Sequence, residues 1–191
     1  MFGNTLKKFP SFALAAFLIF PVHAESCKQG PVIVSVSVPE SLIVVDNSEA
    51  LANRFGEVEA QFQNKLTLKT EKNGGCIALT GANAAIRYDF IVRIDKRFGQ
   101  GSCEFEAALG HETDHIETYK SILFDFKDKL AGAIKLAARR VPANIAMDAM
   151  AALIQADPEF LLVLREMEME ADLRNRHIDG FDYFDYMGNC R

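Results

Sequence analysis

The spacing of apolar positions changes character near residue 100. Before it, Ile86, Tyr88, Phe90, Val92 and Ile94 alternate with Arg87, Asp89, Arg93 and Asp95. A period of two predicts a strand with one buried and one wet face. Val32 to Val38 is β-branched and partly alternating, a second strand that Pro39 ends or bends. Leu66 to Thr70 and Cys76 to Thr80 read as short strands around Asn73-Gly74-Gly75, a hairpin turn signal. Asn47-Ser48 offers an N-cap for a helix to about Gln63, with Leu51, Phe55, Val58 and Phe62 at helical spacing. After residue 100 the period becomes helical. Ser102 is an N-cap candidate, and Glu104 and Glu106 suit a first turn at the positive end of the helix dipole. This helix runs to Leu130 or beyond. Pro142 interrupts, a short helix follows over 143–155, and Asp157-Pro158-Glu159 opens a last long helix to about Asn175. Gly180 leads into a tail with Phe181, Tyr183, Phe184 and Tyr186. The fold class is therefore α+β, a small mixed or antiparallel sheet in the N-terminal half packed on a helical C-terminal half.

The first residues stand outside this fold. Lys7 and Lys8 precede an apolar stretch from Phe12 to Val22, and Val22-His23-Ala24 presents small or aliphatic residues where a signal peptidase reads. That is the pattern of a secretory signal peptide, residues 1–24, cleaved after Ala24. An uncleaved anchor is disfavoured because the run falls short of the ~20 residues that a span needs. A lipoprotein with Cys27 lipidated fits poorly with the charged Glu25 beside the cleavage point. Residues 25–191 then form a single domain, long enough to bury a core. Losing two lysines takes the net charge from −5 to −7. A mildly acidic chain without clustered Lys and Arg excludes a nucleic-acid partner. With the signal gone, no membrane span is expected, and the protein is periplasmic or secreted. Nothing in the pattern fixes an oligomeric state.

Cys27, Cys76, Cys103 and Cys190 all lie in the exported part. Their spacing lacks the short pairs of structural zinc sites, so an even count in this setting reads as two disulfides. Three pairings are open. Cys27–Cys76 with Cys103–Cys190 is the pairing expected, since it pins the chain end against the start of the first long helix.

The chemistry concentrates in His111-Glu112-Thr113-Asp114-His115. Two imidazoles four apart share one helix face and can hold one metal ion. Glu112 lies off that line, so it reaches water at the metal and can serve as general base. The exported part contains three histidines, and two of them make the motif; an accidental surface pair remains the alternative. For the third ligand, Leu161, Leu164, Glu168 and Ala171 fall on one helical stripe. A carboxylate within an apolar stripe must be paired or bound. Glu168 is therefore the candidate, with a buried salt bridge to Arg139 or Arg140 as the competing reading.

His-Glu-x-x-His followed on a later helix by Glu168-Met169-Glu170-Ala171-Asp172 resembles the gluzincin class of zinc metallopeptidases, over residues 86–175. The resemblance implies Zn²⁺ held by His111, His115 and Glu168, with Asp172 orienting a ligating histidine. It also implies an edge strand that pairs with an extended peptide or protein substrate, here Ile86–Asp95 or a close neighbour. Asp114 departs from the small or apolar residue common at that place, and the metzincin pattern is absent. Donors for the oxyanion are His177, Tyr119, Tyr183 and Tyr186 by type, with an exposed His177 near the helix end as the plain alternative. The expected function is an exported zinc-dependent metallohydrolase, a peptidase; the alternative is a non-catalytic zinc-binding envelope protein that binds peptides.

Overall fold

The computed structural model describes residues 31–51, 54–73, 75–180 and 190. The expected signal peptide, Cys27 and the aromatic tail with Tyr183 and Tyr186 lie outside the described residues. The elements are β1 (Ile33–Ser37), β2 (Ile43–Asp46), β3 (Gly56–Asn73), β4 (Cys76–Ile94), α1 (Cys103–Arg140), α2 (Met147–Gln155) and α3 (Pro158–Asp179). This is an α+β architecture, with a mixed sheet in the N-terminal half and helices in the C-terminal half.

A long hairpin dominates the sheet. β3 pairs antiparallel with β4 from Gly56 opposite Ile94 to Asn73 opposite Cys76. Gly75 in the turn has φ +83, a conformation that costs glycine little. β1 and β2 lie end to end along the other side of β4, both parallel to it. β4 is thus the central strand, and β3 pairs with β4 alone among the described residues. Ile86–Asp95 lies in β4 and is flanked on both sides, so the edge falls to its close neighbour β3, the other strand that the resemblance allowed.

The helix expected over 47–63 is not formed. Val58 and Phe62 are four apart, a spacing that satisfies a helical stripe and one face of a strand equally. Ala60 between them, and Glu57, Glu59, Gln61 and Gln63 pointing outward, follow the period of two. Pairing with β4 decides in favour of the strand. The separate strands at 66–70, 76–80 and 86–95 likewise merge into the two arms of one hairpin.

Even-numbered residues from Ala82 to Ile94 on β4 are buried against the helices. The opposite face is wet, with Arg93 paired to Glu57 at 3.0 Å and Glu59 at 2.8 Å. α1 starts as its sequence signals, the Ser102 hydroxyl accepting from the Phe105 N–H at 3.1 Å. Phe105, Ala108, Ile116, Leu123, Leu130 and Ile134 are its main buried apolar residues. Asp157 caps α3 by accepting from the Glu159 N–H, and it holds Arg140 at 3.0 Å. α3 packs antiparallel on α1: Arg174 reaches Ser121 and Asp125, and Lys129 reaches Glu166. Cys103 and Cys190 form a disulfide, as expected. Cys76 is also disulfide-bonded. Among the described residues, no helix is long and apolar enough to cross a membrane.

Candidate metal centre

One turn of α1 presents His111 and His115 side by side, their Nε2 atoms 3.2 Å apart and their rings edge to face. Both side chains are nearly buried, at 7% and 10% exposure. The last residue of α3 completes the group. Asp179 places Oδ1 3.2 Å from His115 Nε2 and 3.7 Å from His111 Nε2, with its side chain 63% exposed at the cavity mouth. These three residues could hold a metal ion.

Asn175 supports His115 from behind. The His115 Nδ1–H donates to Asn175 Oδ1 at 2.9 Å, which leaves the Nε2 lone pair for a metal. Burial, then the neighbouring His115, holds the His111 pKa below its usual value and keeps this imidazole neutral. Asp179 stands in the last turn of α3, where the dipole disfavours an anion. A cation at the centre would relieve that.

A cavity of about 520 Å³ opens over the group, bounded by the start of β3 (Gly56 to Val58), Glu112, Tyr119, Asn175, His111, His115 and Asp179. Glu112 is buried in its wall. Burial, with Asp179 and Glu57 nearby and Arg54 opposing them, pushes its carboxyl up to about 8. The backbone of β3 comes so close that a Cβ built on Gly56 would lie 2.6 Å from Glu112 Oε1 and 2.9 Å from its Cγ. Gly56 is therefore what lets the carboxylate lie where it does.

Several expectations need correction. Glu168 does not join the histidines. It lies eleven residues before Asp179, about 16 Å along the helix axis. Because α3 runs antiparallel to α1, its level faces Asp125 to Lys129 rather than His111. It is also exposed; Met167 and Ala171 take the buried positions, and Arg140 pairs with Asp157 instead. Asp172 is exposed and paired with Arg176, and the residue that orients His115 is Asn175, one turn later. His177 is exposed and does not line the cavity. Tyr119 does line it.

Asp179, Asn175 and Gly56 went unread in the sequence. Asp172, Asn175 and Asp179 lie in line with Glu168, at i+4, i+7 and i+11, while the buried line of α3 runs through Phe160, Met167 and Ala171. What hid Asp179 was ending the helix at Asn175, one turn early. Comparison with family models, with curated proteins and with solved structures finds no match to this chain.

Proposed function

We propose that this protein is an exported zinc-dependent metallohydrolase that cleaves peptides. The observation that carries the reading is the convergence of His111, His115 and Asp179 in one cavity with the buried Glu112. The donor set fits the metal. Ligands of a tetrahedral zinc with bonds of 2.0–2.1 Å stand about 3.3 Å apart. The pairs here are at 3.2, 3.2 and 3.7 Å. Three protein ligands also leave the open position that a catalytic zinc needs. An aspartate in the third place departs from the glutamate that the gluzincin resemblance implies.

When bound, zinc supplies Lewis acidity to a carbonyl oxygen and makes water at the site more acidic. A cation at the centre would oppose the burial that raises the Glu112 carboxyl and favour its ionised form. Ionised, Glu112 would accept a proton from the attacking water and return it to the departing amine nitrogen as the C–N bond breaks. Tyr119 lines the same cavity, and its hydroxyl would donate to the developing oxyanion. Among the described residues β3 pairs with β4 alone, and an extended peptide would align along its outer edge. The Cys103–Cys190 disulfide and the disulfide-bonded Cys76 support a periplasmic or secreted location.

The test is direct. The purified chain with its disulfides intact binds close to one equivalent of zinc, and hydrolyses peptides until the metal is chelated. Glu112→Gln keeps the zinc and loses turnover by about a thousandfold or more, the scale of a lost general base. A protein that takes up no zinc refutes the reading. Zinc retained without turnover across a broad peptide library leaves the non-catalytic peptide-binding protein.

A further inference from the structure

A second cavity, of about 360 Å³, adjoins the metal centre, with Tyr119 and Asn175 lining both. Phe62, Tyr88, Tyr119 and Met167 give it aromatic and apolar walls, and Glu168 is among its lining residues. We propose that this cavity is a substrate side-chain subsite that takes a cationic residue, lysine or arginine, with Glu168 as its counter-charge. The inference rests on the peptidase reading and adds a substrate class to it.

The first support is register. Gly56 and Val58 on β3 face the metal cavity, and Ala60 and Phe62 face the second one. A peptide paired along that edge sends alternate side chains to one face, spaced about 6.6 Å apart. A side chain close to the reacting bond thus enters the second cavity while its backbone stays on β3.

Charge is the second support. Glu166, Glu170 and Asp172 on the same helix are engaged by Lys129, Arg174 and Arg176. Glu168 has no ion pair among the described residues, and no Lys or Arg lines the cavity. The aromatic walls suit the same ligand. Ring faces attract a cation, and the alkyl stem of lysine or arginine packs on apolar surface while its head reaches a carboxylate. Tyr88 presents a neutral ring: burial, then Tyr119 and Glu168, push its hydroxyl up to about 12.

The experiment measures binding, so that it is read without turnover. Zinc-loaded Glu112→Gln protein is titrated with octapeptides that carry lysine, arginine, norleucine or glutamate at each position in turn. At one position lysine and arginine bind about tenfold tighter than norleucine, the worth of a charge-assisted contact. In the Glu112→Gln, Glu168→Gln double variant that ratio collapses to near one, and with Glu168→Lys glutamate becomes preferred. Zinc stoichiometry checks that each variant is folded. Norleucine binding as tightly as lysine at every position, a preference that survives Glu168→Gln, or no peptide binding at all overturns the subsite. Cleavage by the wild-type protein is scored separately, so its absence counts against the peptidase reading and not against the subsite.

Discussion

A single methyl group decides where Glu112 can sit. The Cβ of an alanine at position 56 would press on both Oε1 and Cγ of Glu112. The carboxyl would have to swing away, since the three atoms nearest that Cβ all belong to Glu112. Gly56→Ala should therefore lower turnover by about a hundredfold, the cost of misplacing a catalytic group by about 1 Å, with zinc content unchanged. Metal analysis beside a rate measurement separates the two effects. Asp179 and Glu168 make a matched pair. Asp179→Ala should weaken zinc binding by at least about a hundredfold, more than the loss of an outer partner, and Glu168→Ala should leave zinc affinity unaltered. Competition with a chromophoric chelator measures both, and weakened binding from Glu168→Ala alone would restore the ligand that the motif suggests. Asn175→Ala, which removes the support behind His115, should cost about 10–100-fold in the same titration.

Among the elements, the hairpin and the segment that closes it set the cavity's roof. The end of β4 is tied to the chain before β3 through Asp95. Its carboxylate accepts from the Leu51 N–H at 2.9 Å, from the Arg97 N–H at 2.8 Å and from the Arg97 guanidinium at 2.9 Å. These contacts, Arg97 first, hold the Asp95 carboxyl down to about 2, against 3.8 for a free side chain. A carboxyl whose folded pKa is depressed contributes stability that is fully present above about pH 4 and is lost as the pH falls toward 2. Asp95→Asn should flatten the acid limb of the stability curve in that window, which denaturant unfolding at pH 5 and pH 2 would reveal. Asn47 reinforces the closure from the neighbouring loop, its Nδ2 donating to the carbonyls of Ile94, Asp95 and Phe98. At this scale the length of α3 matters as much as its phase. Four more residues of helix, Arg176 to Asp179, carry the stripe from Asn175 to the metal group.

Over the molecule as a whole, the disulfide spans 87 residues of sequence and ties Cys190 to the first residue of α1. Everything from the motif helix to the end of α3 is enclosed in that loop. In the chain-entropy account, a loop of this size stabilises the folded state by about 4.6 kcal/mol. Cys103→Ser combined with Cys190→Ser should lower the unfolding free energy by that order, read as a lower denaturant midpoint. The loss should also weaken zinc binding, since unfolding and metal release are coupled. An unchanged midpoint would mean that packing of α1 on α3 alone holds the loop.

The sequence by itself determined what is local. The cap at Ser102, the Asp157-Pro158 helix start, the glycine turn of the hairpin and the buried face of β4 follow from residue type and spacing, and the structure contains each of them. The placement of His111, Glu112 and His115 on one turn is equally local, because helix geometry alone brings i and i+4 together. What only the tertiary structure decided is every pairing between distant segments. Residues 56–63 satisfied both periods until β4 lay beside them. Glu168 shares its helical phase with Asp179 but not its height, because phase is set within a helix and height by how two helices pack. The antiparallel register of α3 on α1 thus took the third position at the metal group from the motif's glutamate and gave it to Asp179.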